Sequence, residues 1–270
     1  NLFKIRPDVL HCHNHSIIKM IFLKYKTVFT SHLMNVPTQN LKYYKKIIAI
    51  SEAVKNDIEQ RSTIRPLLVY NSVNIDLIDH KTDYKFKTYR IIQIGRLIHS
   101  IKGQHVLVEA LKIVVHDMDT RNISVDFVGN GPSFEYLINL IKYYQLENYV
   151  NLLGSKDRVY LYKNLKNYNL LVQPSLIEGF GLTIVESMAA KVPTLVSDID
   201  GPAEIVEKGR YGFLFRSGDA VDLANKILEL IQINGSAEFT AKITAAHKHA
   251  SKNFNIKEMV RELERIYLAI

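Results

Sequence analysis

The chain has 270 residues, of which 47% are hydrophobic and 23% charged, so it can form one large core or two smaller ones. A single cysteine, Cys12, excludes a scaffold of internal disulfide bonds and favours a reducing compartment. The net charge of +8 is uneven, because residues 1–80 carry 11 Lys and Arg against 6 Asp and Glu. A basic part of this kind suits an anionic lipid surface, a nucleic acid or an acidic acceptor.

Short β-branched runs alternate with amphipathic segments along most of the chain. Between the runs, apolar residues recur at helical spacing, for example from Val106 to Val115. This alternation predicts an α/β fold in which helices cover parallel sheets. The runs predict ten strands: Asp8–His13, Thr27–Ser31, Lys46–Ile50, Leu67–Tyr70, Arg90–Ile94, Val125–Val128, Tyr149–Leu153, Leu170–Gln173, Thr194–Ser197 and Gly212–Phe215.

The polar stretch Asp76–Tyr89 predicts a boundary between two domains. The first domain is expected over residues 1–80 and the second over residues 85–254. Residues 255–270 follow as a final helix, because their apolar residues repeat at helical spacing.

The segment from Glu178 to Glu186 carries the strongest functional signal. Glycines at 179 and 181 form a turn that leads into a predicted helix. A glycine turn lets backbone N–H groups approach a ligand, and a helix N-terminus attracts phosphate. Carboxylates accept hydrogen bonds from sugar or ribose hydroxyls, so the segment predicts a pocket for a sugar attached to a nucleotide. An alternative interpretation makes Thr183 and Glu186 a capping box, in which Glu186 only satisfies its own helix start.

Three further motifs occur along the chain: Ile94–Leu97 followed by Lys102-Gly103, the turn Val128–Pro132, and Gly201–Val206 followed by Gly209 and Gly212–Leu214. Together with the paired glutamates they resemble the diphosphate clamp, glycine turn and E-x7-E signature of glycosyltransferase family 4, whose members are retaining enzymes with the GT-B fold. The resemblance implies two Rossmann-like parallel-sheet domains facing a cleft. The family's Pro-Asp-Val-x-His-x-His strand matches Pro7–His13, so the N-terminal domain is expected to be truncated or short. The final helix is expected to cross back to that domain.

The resemblance also implies a role for each matching residue. Arg96 and Lys102 would hold the donor diphosphate and stabilise its charge as it leaves. Glu186 would bind the ribose hydroxyls, and Glu178 would lie beside the donor sugar. The expected catalytic residues are Glu178, Arg96, Lys102 and His32, and the expected donor-binding residues are Gly95, Arg96, Lys102, Gly129, Gly154, Glu178, Gly179, Phe180, Gly181, Leu182, Thr183 and Glu186.

Several residues of the N-terminal part have a second interpretation. His32 matches the end of the family's T-x-H strand, although a lone histidine after a strand also fits a structural role. Ser51 matches an Ile-Ser position of the family and equally fits a helix N-cap. The alternating His11, His13 and His15 could bind zinc or iron. The resemblance implies no metal there and no cofactor other than the nucleotide-diphosphate sugar donor.

The resemblance implies a metal-independent, hexosyltransferase-type retaining enzyme of polysaccharide or lipopolysaccharide synthesis. Its partners would be a UDP- or GDP-sugar and a glycan or lipid-linked acceptor. The single cysteine favours a cytoplasmic protein, and the basic N-terminal part suits a peripheral position at the inner face of the membrane. Two alternatives stay open: a nucleotide-sugar-binding remnant with an incomplete acceptor side, and a basic binder of membranes or nucleic acid. The chain carries no recognised nucleic-acid motif, so no nucleic acid is expected as a partner.

Overall fold

The structure, a computed structural model, describes residues 7–17 and 25–270, with Ile17 by its backbone alone. The chain forms two compact units, and each contains one parallel sheet. The first unit comprises Asn1–Ser72 and Asn253–Ile270, and the second comprises Val73–Lys252.

All ten strands predicted from the sequence are present, and their ends differ from the prediction by no more than two residues. In the described residues the strands are β1 (Val9–Cys12), β2 (Lys26–Ser31), β3 (Lys46–Ala49), β4 (Leu67–Leu68), β5 (Tyr89–Ile94), β6 (Ile123–Val128), β7 (Val150–Leu152), β8 (Leu170–Gln173), β9 (Thr194–Ser197) and β10 (Phe213–Phe215). The α-helices are α1 (Glu52–Arg61), α2 (His99–Lys102), α3 (Gln104–Lys112), α4 (Phe134–Tyr143), α5 (Arg158–Asn164), α6 (Leu182–Ala189), α7 (Asp200–Ile205), α8 (Ala220–Ile233), α9 (Ala237–Asn253) and α10 (Ile256–Leu268). Among the helices of this described part, none is long and apolar enough to cross a membrane.

The sheet of the first unit has the strand order β1-β2-β3-β4, and all its strands are parallel. Val28 on β2, Ile48 on β3 and Val69 form its core together with Ile266 of α10. Every residue of β2 after Lys26 is buried, as expected for a parallel strand whose two faces are both covered. The last helix of the chain therefore belongs to the hydrophobic core of the first unit.

The sheet of the second unit has the order β10-β9-β8-β5-β6-β7, again with parallel strands only. Helices α3 and α8 contribute Val106, Leu111, Leu223 and Ile227 to a core that also contains Ile91 of β5. The strand order reverses between β5 and β8: the chain runs outward through β6 and β7, returns at β8, and continues through β9 to β10. In such a sheet, ligands bind where this reversal separates two neighbouring loops at the carboxyl edge.

The polar stretch Asp76–Tyr89, which was predicted as the domain boundary, belongs to the second unit. Asp79 donates its backbone N–H to the carbonyl of Tyr162 at 3.0 Å, and Lys81 donates to the carbonyl of Ala190 at 2.8 Å. The junction between the two units lies earlier, at Ser72–Val73.

Candidate active site

The clamp residues lie on the two loops that separate at the reversal of strand order. Arg96 follows β5, Lys102 ends the short helix α2, and Glu178 follows β8. The loops are joined by the backbone, because Leu176 and Ile177 donate their N–H groups to the carbonyl of Ile101 at 2.8 and 3.2 Å. The fold thus unites residues that are more than 70 positions apart in the sequence.

Glycines permit a very close approach of the strand ends around this crevice. Gly103 has a φ of +65°, and a Cβ atom there would lie 1.8 Å from the carbonyl oxygen of Pro174. A Cβ atom on Gly129 would lie 1.9 Å from the carbonyl oxygen of Gly95. Gly129 also donates its N–H to Gly154 at 3.0 Å. Gly95, Gly129 and Gly154, all expected near the donor, therefore stand side by side after β5, β6 and β7.

Lys102 and Glu178 form an ion pair within the crevice. The Lys102 Nζ atom donates to Glu178 Oε2 at 2.5 Å, and their side chains are 22% and 15% exposed. Arg96 is exposed to solvent. Its backbone carbonyl accepts a hydrogen bond from the buried Gln104 side chain at 3.0 Å. The site therefore offers the Lys102 cation beside the Glu178 carboxylate, and Arg96 is exposed six positions before Lys102.

The glycine turn after Glu178 is held from behind by α7. A Cβ atom on Gly201 would lie 2.5 Å from the carbonyl oxygen of Glu178, so only glycine allows this packing. The Phe180 side chain is 2% exposed and anchors the turn in the core. Of the predicted donor residues from Glu178 to Thr183, all except Phe180 and Gly181 stay partly exposed.

The capping-box interpretation of Glu186 is wrong. Helix α6 has Gly181 as its N-cap, with a φ of +114°, so Thr183 already lies inside the first turn. The Thr183 hydroxyl donates instead to the Gln173 side chain at 3.2 Å. A sequence pattern of Thr-x-x-Glu cannot reveal that a preceding glycine begins the helix. Glu186 therefore does not cap the start of its own helix.

Glu186 is a buried carboxyl group whose pKa is raised. Its residue is only 3% exposed, and the loss of hydration raises the pKa of Glu186 to about 7, while Arg158 opposes this rise. The Nε atom of Arg158 lies 3.9 Å from Glu186 Oε1. Arg158 is not among the site residues predicted from the sequence. Its only sequence signal is its place directly after a good N-cap residue, Asp157, on the helix that follows Gly154.

His32 lies in the first unit, within a chain of aromatic contacts. His13 Nδ1 and His32 Nε2 share a hydrogen bond of 2.7 Å, and the His13 ring stacks on His11 at 4.6 Å between centroids. His11 is held between the hydroxyls of Thr30 and Tyr267 at 2.7 and 2.5 Å. Burial and the neighbouring histidines lower the pKa of His11 to about 4.

Among residues 7–17 and 25–270, no group of three or more His, Cys, Asp or Glu lies together so that it could hold a metal ion. Two Asp-x-Asp pairs occur in the sequence, at Asp117/Asp119 and Asp198/Asp200. Both carboxylates of the first pair are engaged by basic neighbours. In the second pair, Asp198 accepts the backbone N–H of Ser217 at 2.8 Å.

Ser51 is the N-cap of α1, and its hydroxyl accepts from the Val54 N–H at 3.1 Å.

Comparisons with known proteins extend these observations. The family model described as "Glycosyl transferases group 1" matches residues 75–249. An uncharacterized glycosyltransferase of Methanocaldococcus jannaschii is 29% identical over 222 residues, which cover 82% of this chain and 59% of the relative. The capsular polysaccharide biosynthesis glycosyltransferase CapM of Staphylococcus aureus is 28% identical over 242 residues, which cover 82% of this chain and 60% of the relative. The chain therefore spans about three fifths of the length of both relatives.

Solved structures provide the comparison of folds. The structure of Anabaena HepE in complex with UDP matches with a TM-score of 0.84 at 22% identity, over 98% of this chain and 79% of that chain. Similarity at this level of identity concerns the fold. The GT-B fold class predicted from the sequence, with its two parallel sheets, is confirmed.

Proposed function

The chain belongs to the glycosyl transferases group 1 family, and we propose that it is a retaining enzyme that moves a sugar from a nucleotide-diphosphate sugar to a glycan or lipid-linked acceptor. The observation that carries this proposal is the Lys102–Glu178 ion pair at the reversal of strand order. It joins a cation suited to a diphosphate with a carboxylate suited to a sugar hydroxyl, in the crevice where sheets of this kind bind nucleotides.

The proposed chemistry uses the two cations to help the diphosphate leave. Arg96 presents a planar fork of donors and Lys102 a mobile ammonium group, and both bind phosphate oxygens through charge-assisted hydrogen bonds. As the bond between sugar and phosphate breaks, negative charge grows on the diphosphate, and fixed cations stabilise that state. Because the cations supply this charge, we propose that the hexosyl transfer needs no metal ion.

The two glutamates take different parts of the donor. Glu186, buried on α6, accepts hydrogen bonds from the ribose hydroxyls. Glu178 lies beside the sugar ring once the diphosphate has drawn Lys102 away from it. The donor is a UDP- or GDP-sugar, and HepE, a protein of the same fold, was solved with UDP.

The class of acceptor and the position in the cell are proposed from the name of a relative and from the charge of the sequence. The name of CapM connects a relative to capsular polysaccharide synthesis, which suits a glycan or lipid-linked acceptor. The excess of Lys and Arg over residues 1–80 suits a peripheral position at the anionic inner face of the membrane. His32 is proposed as a further residue that contacts the donor.

Nucleotide binding tests the proposal directly. Titration calorimetry with UDP, GDP and ADP on the full chain should find binding of UDP or GDP. Arg96→Ala and Lys102→Ala should each weaken that binding about tenfold or more, because a charge-assisted hydrogen bond contributes roughly 1.5–3 kcal/mol. Lys112→Ala is the matched control, since Lys112 pairs with Asp117 outside the crevice. Equal affinity in all three variants and the unchanged chain would refute the clamp.

A further inference from the structure

Arg158 occupies a position that the stability of its own helix does not explain. It is the first residue of α5, whose start is fixed because the Asp157 side chain accepts the Tyr160 N–H at 2.7 Å. A cation in the first turn opposes the positive end of the helix dipole and costs some stability. The position instead brings the guanidinium to the buried carboxylate of Glu186, 3.9 Å away.

The two partners of this contact differ sharply in their exposure to water. The Glu186 side chain is 4% exposed, whereas the Arg158 side chain is 63% exposed. The arginine therefore keeps most of its hydration while its charge acts on a carboxyl group that has lost its own. Such an arrangement avoids the desolvation cost that a fully buried ion pair carries on both sides.

We propose that Arg158 is a positioning residue of the donor site, whose guanidinium supports the negative charge of Glu186 so that this carboxylate can accept both ribose hydroxyls. The inference rests on the proposed function, because it deepens the role given there to Glu186. A carboxylate has lone pairs for two hydroxyl donors, whereas a protonated carboxyl group carries a donor of its own and loses acceptor capacity. The ligand chemistry is thus a nucleotide with a vicinal ribose diol.

Protonation links the contact to a measurable property. Burial raises the pKa of Glu186 to about 7, and Arg158 is the charged group that opposes the rise. The other titratable group that interacts with Glu186 is Tyr162, also on α5, and burial raises the pKa of this phenol. Tyr162 is therefore neutral near pH 7, so within the described part of the chain the charge that acts on Glu186 comes from Arg158. Without Arg158, Glu186 would hold its proton at neutral pH.

The experiment compares UDP with 2′-deoxy-UDP between pH 6 and pH 9, using calorimetry on the full chain and on Arg158→Gln. An opposite charge near a carboxyl group lowers its pKa by about one unit or more, so its loss should raise the pH midpoint of UDP binding by about one unit. At pH 7, UDP affinity should fall about fivefold, since the ionised fraction drops from about one half to about one tenth. At pH 9 the two proteins should bind UDP alike, and 2′-deoxy-UDP should show a much smaller difference at every pH.

Two further variants sharpen the result. Arg158→Lys keeps the charge and should restore the original pH midpoint. Arg210→Gln removes another exposed arginine of the same unit, one that pairs with Glu207 at 3.2 Å, and should leave the profile unchanged. An Arg158→Gln profile identical to that of the original chain, while Arg96→Ala still weakens UDP binding about tenfold or more, would overturn the inference and leave the proposed function standing. Absence of UDP and GDP binding by the original chain would overturn the proposed function itself.

Discussion

Replacing Glu186 with glutamine should make the folded protein more stable at alkaline pH while it loses affinity for nucleotides. Burial raises the pKa of Glu186 from an ordinary value of 4.5 to about 7. A site built only for stability would not place a carboxylate where ionisation is so costly, because perturbed groups of this kind concentrate at functional sites. Glutamine has nearly the same shape and cannot ionise, so it removes the cost.

The size of the effect follows from the difference between the two pKa values. Between pH 4.5 and pH 7 the folded protein retains the Glu186 proton that the unfolded chain has released. The free energy of unfolding therefore falls as the pH rises through this window. Above pH 7 the full penalty of about 3 kcal/mol is present, because each unit of pKa corresponds to about 1.4 kcal/mol. For a protein of this size, that penalty lowers the melting temperature by roughly 6–12 °C.

Thermal unfolding of the original chain and Glu186→Gln, at pH 4.5 and at pH 8, measures this contribution. The two proteins should melt at nearly the same temperature at pH 4.5, and the variant should melt higher at pH 8. Calorimetry at pH 8 should show that UDP binding is weakened in the same variant. A variant that melts lower at both pH values would mean that the carboxylate makes a stabilising contact, and the burial argument would then be wrong.

Two further predictions concern the backbone of the crevice and metal ions. Gly103→Ala should lower the free energy of unfolding by at least about 2 kcal/mol, because a side chain there has a strained backbone and collides with Pro174. Gly218 also has a positive φ, of +78°, but a Cβ atom there makes only ordinary van der Waals contact. Gly218→Ala should therefore lower the free energy of unfolding by about half as much in the same denaturant titration. Donor hydrolysis or sugar transfer should persist in excess chelator, because Arg96 and Lys102 provide the positive charge; loss of activity that Mg²⁺ or Mn²⁺ restores would contradict this.

Sequence patterns predicted the fold well because a strand buried on both faces of a parallel sheet forms a short apolar run, which can be recognised from the local sequence alone. A strand such as Leu170–Gln173 is buried at every position, so its apolar run stands out without any knowledge of its partners. The glycines of the motifs were equally visible, and the contacts at Gly103, between two helices, and at Gly129, after β6, explain why no other residue fits there.

The relations between distant side chains could not be predicted. Nothing in the sequence indicates that Lys102 and Glu178 are paired, because their contact depends on the strand order that brings β5 beside β8. Arg158 was missed for the same reason, since its partner lies on another helix. The Glu186 capping box failed at a finer level, where the conformation of Gly181 decides which residue begins the helix.

When the donor binds, its diphosphate must replace Glu178 as the partner of Lys102. The variant Glu178→Gln separates this competition from the proposed contact between Glu178 and the donor sugar. Glu178 holds the ammonium group of Lys102 at 2.5 Å, so a diphosphate that binds Lys102 must compete with this carboxylate. Glutamine removes the competing charge, and free UDP should then bind equally well or up to about fivefold more tightly, as expected for an ion pair of about 1 kcal/mol. Sugar transfer should fall instead, because no carboxylate lies beside the donor sugar. Calorimetry with UDP and steady-state kinetics with the donor sugar would separate the two effects. A parallel loss of UDP affinity and turnover would show that Glu178 serves to hold Lys102 in place, and that its proposed contact with the sugar is wrong.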